Sequence, residues 1–562
     1  MDYKLHLVVD LDGTFLEGEL IDRLALYTLI ECQRNLINLI YCTGRCISDI
    51  NNVIQDDVTP TPNIIIADVG TTIHSKNNNT SISKIQKEIQ KMWPGHDTVS
   101  NAFDTLEYLE LQPLDFINRR SYTLHDKTKL NILRDKAAQI NCDLLYSHDK
   151  FIDILPQNVN KGTTLLKLIQ VLNINPYSVL TAGDTMNDYS MFTIGVAGIV
   201  VNNASPSLKK NVRGLKNIYL AKHKGTKGIL EGISHFDFQL FTKKSGIDHH
   251  NIIAYHRPQY STVLKKNKLI HNKHTSPNGI IPTLKSSIDI QENTAWVCTI
   301  PYHLNTKPDF IKTGFICEKT NKVDFIYILE KEENINDYYH NFSKNILWPT
   351  LHSYNPSTEF HQSSWINFLK INFRFAISIA MYANFNSITT FHDYNLWMAP
   401  YLLRQLRPDI TIKFFHHTPF PQSHFFSRLP CAKAILKSLS CCNRVDFHTT
   451  EHLQNYIHTL ELFHKIKEIS TSTSSRYDKA PNQLTISHSK KSIQLGSSKL
   501  ITTCNANPVG IDTNKINSYL LKRDPDYFNQ LKLNTHKSQQ LILTVQRMDY
   551  TKGIKEKLQG IE

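Results

Sequence analysis

Two aspartates directly follow a short apolar segment at the start of the chain. Residues 5–14 read LHLVVDLDGT, so Asp10 and Asp12 end a β-branched run that Gly13 terminates. Such a run is typical of a buried parallel strand rather than a helix. Side chains at positions i and i+2 share one face of a strand, and open α/β sheets bind ligands at the carboxyl ends of their strands. The segment therefore predicts an α/β fold with an acidic site at one sheet edge.

The chemistry of this pair has three interpretations. Hard carboxylate oxygens suit Mg2+, which would also relieve the repulsion between the two acids. An aspartate can attack a phosphoryl group and form an aspartyl-phosphate. A strand that ends in an ordinary Asp-Gly turn is the structural alternative. Motifs further along the chain decide between these interpretations.

Three further motifs follow apolar strands or open a helix. Thr43 begins the sequence TGR after the strand at 36–42, and a hydroxyl there can hold a phosphate oxygen. Lys161 opens an amphipathic helix, where its charge opposes the helix dipole unless it faces a phosphate or carboxylates. GDTMND supplies Asp184 and Asp188 after another strand, enough to complete a Mg2+ site.

The four motifs together resemble the haloacid dehalogenase-like phosphatases, in the branch with a large α+β cap that includes sucrose-phosphate phosphatases. The resemblance covers about residues 4–240 and implies a Rossmann-like core, with a cap at about 75–158. It implies four catalytic residues: Asp10 as nucleophile, Asp12 as general acid/base, and Thr43 and Lys161 holding the phosphoryl group. It also implies Mg2+ as cofactor, bound through Asp10, Asp12, Asp184 and Asp188.

A second α/β unit follows a polar linker at 241–251. The turn in SPNGIIPTL, at Gly279, suits a close approach of backbone to a ligand. Two apolar strands end in the polar turns HDY and HHT, which contain Asp393 and His417. Neighbouring strand ends of this kind suggest a polar ligand. The pattern therefore predicts a second α/β unit from residue 252 onwards.

This half resembles the trehalose-phosphate synthase family of retaining glycosyltransferases, whose fold (GT-B) has two doubly wound domains. The resemblance implies that the acceptor-side domain covers residues 252–505 and that the nucleotide-sugar-binding domain begins at 506–562. The resemblance implies that Asp393 lies at the sugar-transfer site and that His417 contacts the donor sugar. It implies substrate-binding roles for Arg257, Tyr339 and Trp348 at the acceptor and for Arg547 and Lys552 at the donor diphosphate. Two cations there would neutralise the charge that accumulates on the leaving group. Gly279 is a further candidate substrate-binding residue, and its ligand is left open.

Within that family, YHRPQY and SPNGIIPTL resemble the glucosylglycerol-phosphate synthases, and the order phosphatase–synthase agrees. The resemblance implies glucosyl transfer from ADP-glucose to glycerol 3-phosphate, followed by dephosphorylation to the compatible solute glucosylglycerol. The alternatives are a trehalose-6-phosphate synthase/phosphatase and a phosphatase beside a non-catalytic glycosyltransferase-like module. Because the sequence ends at residue 562, early in the nucleotide-binding domain, we expect the synthase half to be inactive in this form. Residues 470–500 are expected to be a polar loop.

Composition limits the ligands and the cellular compartment that the chain is expected to have. The net charge is +13, but the cations are spread along the chain, so anionic sugar phosphates and nucleotide sugars are favoured as ligands over nucleic acid. The ten cysteines form no CxxC pair, which favours a reduced, cytoplasmic setting without zinc. No apolar run reaches the ~18 residues of a membrane span. The sequence leaves homo-oligomer formation open.

Overall fold

The computed structural model describes residues 3–77, 79–113, 116–147, 149–241, 249–272, 280–288, 293–302, 314–477, 485–495, 500–510, 513–522, 544 and 550–560. The structure is α/β throughout, as the sequence predicts. Two sheets carry the two predicted units, and a third, smaller sheet belongs to the insertion in the first unit. None of the described helices combines the length and the apolar character needed to cross a bilayer.

Within the described part of residues 3–241 there are eleven strands and nine α-helices. The strands are β1 (Leu5–Val9), β2 (Ile37–Cys42), β3 (Ile64–Ala67), β4 (Thr72–Ser75), β5 (Leu109–Leu111), β6 (Arg120–Leu124), β7 (Cys142–Ser147), β8 (Phe151–Pro156), β9 (Val179–Gly183), β10 (Ala197–Val200) and β11 (Ile218–Leu220). The helices are α1 (Leu20–Cys32), α2 (Ile47–Val53), α3 (Thr80–Met92), α4 (His96–Phe103), α5 (Leu130–Gln139), α6 (Lys161–Val171), α7 (Tyr189–Phe192), α8 (Pro206–Asn211) and α9 (Gly225–Phe236).

The main sheet of this half has the order β11-β10-β9-β1-β2-β3-β4. All neighbours are parallel except β4, which pairs with β3 antiparallel. β1 and β2 are buried along their whole length, because helices cover both faces of the sheet. Apolar side chains of α1 and α9 pack on one face, and those of α3 and α6 pack on the other. This double cover explains why these strands are continuous apolar runs.

The insertion forms an antiparallel sheet of order β5-β6-β8-β7, with α4 and α5 packed against it around a separate apolar cluster. We call residues 96–156 the cap. Helix α3 precedes the cap and packs on the main sheet, through Ile82, Ile85 and Ile89. The cap therefore touches the core without sharing its apolar interior.

The described residues from 249 onwards form twelve strands of one sheet. They are β12 (His249–Ala254), β13 (Ser261–Lys265), β14 (Lys268–Asn272), β15 (Thr294–Tyr302), β16 (Phe315–Glu318), β17 (Val323–Lys331), β18 (Ala383–His392), β19 (Thr411–His416), β20 (Arg444–Phe447), β21 (Ile466–Tyr477), β22 (Thr485–Leu495) and β23 (Ile501–Ala506). Strands β17-β15-β12-β18-β19-β20-β23 form the parallel, doubly wound centre. β16 pairs antiparallel with β17, and the β13–β14 hairpin touches the end of β15.

The expectation of a polar loop at 470–500 is wrong for the described part of that stretch. β21 and β22 pair antiparallel from Ile466–Leu495 to Tyr477–Thr485, and β22 continues the sheet against β23. Both segments contain isoleucine and threonine among their polar residues, and such β-branched residues favour a pleated strand. The polar composition hid this strand preference.

Helices of the second half pack on both faces of its sheet, and a wide, π-helical segment is among the described elements. The α-helices are α10 (Ile280–Ile288), α11 (Glu332–Asn336), α12 (Trp348–Leu351), α13 (Gln362–Tyr382), α14 (Ala399–Leu406), α15 (Ser423–Phe426), α16 (Ala432–Leu439), α17 (Thr450–Phe463), α18 (Thr513–Leu521) and α19 (Ile554–Gln559). The π-helical segment Asp337–Leu347 joins α11 to α12.

The two halves share an apolar core. Helix α1 lies between the first sheet and helix α13, and both helices belong to one continuous cluster of buried side chains. Polar contacts cross the same interface, and two of them involve acidic side chains of the first half. The Tyr401 hydroxyl donates to Asp22 Oδ1 at 2.5 Å, and Lys437 Nζ donates to Glu19 Oε2 at 2.8 Å. The interface therefore fixes how the two halves are oriented.

Candidate active sites

The first site lies at the carboxyl ends of β9, β1 and β2, which are neighbours in the first sheet. Asp10 follows β1, Thr43 follows β2, and Asp184 follows β9. Lys161 is the first residue of α6, whose N-terminus carries a capping box built by Asn160 and Thr163. The parallel strand order brings the four predicted motifs together at one edge.

Lys161 is the centre of this cluster. Its Nζ donates to Asp10 Oδ1 at 2.6 Å and to Asp188 Oδ1 at 2.7 Å, and all three side chains are buried. Burial raises the pKa of Asp10 to about 8, against the opposing charge of Lys161. Burial also acts to lower the pKa of Lys161, but the charges of Asp10 and Asp188 raise it above its usual value. The ammonium group therefore remains a cation in the interior.

Asp10, Asp184 and Asp188 each place a carboxylate oxygen within 4.8 Å of the others. Both oxygens of Asp188 have donors: Oδ1 accepts from Lys161, and Oδ2 accepts from the backbone N–H groups of Asp184 and Thr185. Burial raises the pKa of Asp184 to about 6. Its carboxylate accepts a hydrogen bond from the Thr14 hydroxyl at 3.1 Å.

Gly13 is required beside this group for steric reasons. Its φ is +74°, and a Cβ at this position would lie 2.2 Å from Asp184 Oδ2. The glycine of the Asp-Gly turn therefore makes room for a carboxylate from another strand. An ordinary Asp-Gly turn, the structural alternative, would not require this space. The donor set, three clustered carboxylates with one lysine, fits a hard divalent cation such as Mg2+.

Asp12 is held by an arginine of the TGR motif. Arg45 donates to its two carboxylate oxygens from Nε at 2.7 Å and from Nη2 at 2.6 Å. The Asp12 side chain is 59% exposed, so it lies at the open side of the site, whereas Asp10 is buried. The two aspartates of one motif therefore occupy different environments.

The cap contacts the backbone next to the TGR motif. Arg119 is buried, its guanidinium lies against the Phe116 ring, and it pairs with Asp153 at 3.2 Å. Its Nη1 also donates to the carbonyl of Gly44 at 3.0 Å. Because Gly44 lies between Thr43 and Arg45, the cap bears directly on the loop that holds Asp12. Sequence reasoning missed Arg119, since nothing in its local pattern marks it.

The second site lies at the carboxyl ends of β12, β18 and β19, again neighbouring strands. Asp393 is buried with φ +68°, and its Oδ1 accepts from the backbone N–H and the hydroxyl of Thr418 at 3.2 and 3.0 Å. Burial raises the pKa of Asp393 to about 6. A non-glycine residue held in this conformation stores strain, which is typical of functional sites.

His417 lies next to this aspartate in the same site. Its Nε2 lies 3.0 Å from Nδ1 of His392, the residue before Asp393. Burial lowers the pKa of His417 to about 2 and that of His392 to about 3. Both rings are therefore neutral, and either one serves as donor to the other.

Arg257, Tyr339 and Trp348 form the third part of the arrangement. The Arg257 guanidinium carbon lies 4.5 Å from the centroid of the Tyr339 ring. Lys344, which sequence reasoning did not single out, lies between the two aromatic residues. Its Nζ is 5.8 Å from the Tyr339 centroid and 3.9 Å from the Trp348 centroid. The Trp348 ring in turn contacts the ring of Tyr394, the residue after Asp393, with 6.1 Å between ring centroids.

Three predicted substrate-binding residues remain: Gly279, Arg547 and Lys552. Gly279 and Arg547 lie outside the described residues, so their predicted roles stay predictions. Lys552 is exposed in the short helical turn Tyr550–Lys552, next to Tyr550, whose ring meets that of Tyr354 with 5.5 Å between centroids. Its contact with a donor diphosphate also stays a prediction.

Comparison with known families agrees with this division of the chain. Residues 3–237 match the model for sucrose-6F-phosphate phosphohydrolase, and residues 249–562 match that for glycosyltransferase family 20. The fold and the two matches define a phosphatase of the haloacid dehalogenase type fused to a GT-B hexosyltransferase. The chain belongs to glycosyltransferase family 20, and with its phosphatase half it is a member of the group of glucosylglycerol-phosphate synthase/phosphatase fusions.

Individual relatives show how far the similarity extends. A glucosylglycerol-phosphate synthase of Pseudomonas anguilliseptica is 34% identical over 99% of this chain and 75% of its own length. A glucosylglycerol-phosphate synthase of Synechocystis is 32% identical over 55% of this chain and 62% of its own length. The solved sucrose-phosphatase of Synechocystis is 28% identical, covering 42% of this chain and 98% of its own, with a TM-score of 0.39.

Proposed function

We propose that this enzyme takes part in making glucosylglycerol. Its second half would transfer glucose from ADP-glucose to glycerol 3-phosphate, and its first half would remove the phosphate. The observation that carries the phosphatase proposal is the buried cluster in which Lys161 joins Asp10 to Asp188, beside Asp184. The names of the relatives and the second site support the transfer step.

In the phosphatase reaction, a carboxylate oxygen of Asp10 attacks phosphorus, and the bond from phosphorus to the glycerol oxygen breaks. Asp12 gives a proton to that oxygen, so neutral glucosylglycerol leaves. Water then attacks phosphorus, Asp12 takes its proton, and the bond to Asp10 breaks, which releases inorganic phosphate. Such transfers need mainly positioning and neutralisation of charge. Lys161 and the hydroxyl of Thr43 would hold the phosphoryl oxygens during both steps.

Mg2+ would be held by Asp10 and Asp184, together with the backbone carbonyl of Asp12. When bound, it would neutralise charge on the phosphoryl oxygens. Asp188 has both oxygens engaged, so its role would be to fix Lys161 and the backbone of Asp184. The environment of Asp12, exposed and paired with Arg45, leaves it accessible to a leaving group.

In the transfer reaction, Arg257, Tyr339 and Trp348 would hold glycerol 3-phosphate. Asp393 would lie at the site of sugar transfer, and His417 would contact the donor glucose. Arg547 and Lys552 would bind the donor diphosphate, and the backbone at Gly279 would approach one of the two substrates. Both ligand types are anionic, which suits the net charge of +13.

Phosphate release by the purified chain with Mg2+ tests the proposal. We expect kcat/KM for glucosylglycerol 3-phosphate to exceed that for trehalose 6-phosphate and for sucrose 6-phosphate by about tenfold or more, roughly 1.4 kcal/mol. Asp10→Asn should abolish release. Asp135→Asn, a change of the same chemistry on the exposed face of α5, should leave it unchanged. A preference for trehalose 6-phosphate would replace the proposal with the trehalose alternative.

A further inference from the structure

The Tyr339 ring is surrounded by more cationic and polar groups than the proposed acceptor site uses. Arg257 and Lys344 both lie over it, at 4.5 and 5.8 Å from its centroid. The imidazole of His256 stacks on it, with 5.4 Å between centroids and 22° between planes. Lys344 also lies over Trp348, at 3.9 Å. Five side chains from two separate stretches of sequence therefore converge on one point.

The charge at this point is positive. Arg257 has no carboxylate within ion-pairing distance among the described residues. Burial lowers the pKa of His256 well below its ordinary value, and the charges of Arg257 and Lys344 act in the same direction, so this ring is neutral. Aromatic faces attract cations and keep them in place without cancelling their charge. Two such cations side by side favour an anionic ligand.

His256 provides the second observation. Its side chain is buried, and neither ring nitrogen has a hydrogen-bond partner in the described structure. A neutral imidazole carries one N–H donor and one acceptor, and a buried polar group without a partner is costly. A ligand oxygen that accepts from this N–H would remove that cost.

We propose that His256 and Lys344 complete the subsite that binds the phosphate of the acceptor, beside Arg257, Tyr339 and Trp348. Lys344 supplies a second positive charge to the dianion, and His256 supplies a neutral N–H donor from the buried side. The planar fork of Arg257 suits two phosphate oxygens, whereas the ammonium of Lys344 acts as a point charge. This inference rests on the proposed function of the second half and names two further residues for it.

Titration of the purified chain with inorganic phosphate, followed by tryptophan fluorescence, tests this subsite. The signal should depend on Trp348, so Trp348→Phe should remove it, and Asp10→Asn in the phosphatase site should leave it in place. We expect Lys344→Met to weaken phosphate binding about tenfold or more, and Lys344→Arg to keep affinity within about threefold. His256→Phe keeps an aromatic ring over Tyr339 but has no N–H, and should weaken binding about fivefold. Lys331→Met, at an exposed lysine paired with Glu333, is the matched control and should bind as the parent does.

The outcomes distinguish the roles of Lys344 and His256 from the proposed acceptor site itself. If the parent protein gives a Trp348-dependent signal and Lys344→Met and His256→Phe bind phosphate equally well, the inference is overturned while the proposed acceptor site stands. If the parent gives no such signal at tens of millimolar phosphate, the acceptor site itself is wrong. Thermal unfolding of each variant shows whether it has kept its fold, and Lys344→Arg remains informative if Lys344→Met does not.

Discussion

Replacing Lys161 with methionine removes a cation that joins two buried carboxylates, those of Asp10 and Asp188. The side chain of Lys161 is 3% exposed, that of Asp10 is 9% exposed and that of Asp188 is fully buried. Methionine has a similar length and no charge, so the variant leaves the space filled and the two acids without their partner. We expect a large loss of stability for this reason, in addition to the loss of phosphatase activity.

The size of the loss follows from the geometry. Two charges about 4 Å apart attract each other by about 4 kcal/mol at an effective dielectric constant near 20. The cost of removing the ions from water offsets much of this, but breaking a buried pair by deleting one partner typically costs about 3–5 kcal/mol. We expect the free energy of unfolding to fall by that amount in urea denaturation at pH 8, followed by circular dichroism.

The loss should depend on pH in a definite direction. The pKa of Asp10 in the folded protein is raised to about 8, above its value in the unfolded chain. A carboxyl group of this kind favours folding below its unfolded pKa of about 4, and this contribution is lost as pH rises towards 8. Removing the lysine raises the folded pKa further, so the deficit of Lys161→Met should be smaller at pH 5 than at pH 8.

Lys167→Met on the same helix is the control. Lys167 pairs with Glu88, and the two side chains are 39% and 53% exposed. Exposed ion pairs contribute about 0–1 kcal/mol, so this variant should lose less than about 1 kcal/mol at either pH. If Lys161→Met loses no more free energy of unfolding than Lys167→Met does, the ion pairs of Lys161 with Asp10 and Asp188 do not stabilise the fold as argued above.

Two further predictions concern the metal site and the interface. Gly13→Ala should lower Mg2+-dependent phosphatase activity at least about a hundredfold, because the added Cβ would overlap Asp184 and the φ of residue 13 is positive. The control is Gly214→Ala, which has open space around it and should have little effect on this activity. Tyr401→Phe should cost about 1–3 kcal/mol of stability at pH 8, because it leaves the carboxylate of Asp22 buried without its hydroxyl donor. Burial raises the pKa of Asp22, so protonation should reduce this cost at pH 5, and an equal cost at both pH values in thermal unfolding would contradict the argument.

Much of the first site could be predicted from local sequence. Each of Asp10, Thr43 and Asp184 follows an apolar run, and each run forms a strand of one parallel sheet. The carboxyl ends of parallel strands meet at one edge, so motifs of this kind converge once the sheet exists. The same reasoning brought Asp393 and His417 together at the ends of β18 and β19 in the second sheet.

Which side chains contact these site residues could be seen only in the tertiary structure. Arg45 follows Thr43 by two positions, but its contact with Asp12 depends on β1 and β2 being neighbours. Lys344 and His256 are 88 positions apart and meet only because the π-helical segment packs beside the end of β12.

The sequence by itself determined the fold class, the two units and the motif residues at the strand ends. It did so because the period of apolar residues and the position of polar residues after each run are local properties. The tertiary structure decided the ion pairs of Lys161, the contact of the cap with the TGR loop, and the shared core around α1. These depend on strand order and helix packing, which bring together residues distant in the chain, and a local pattern carries no information on such distances.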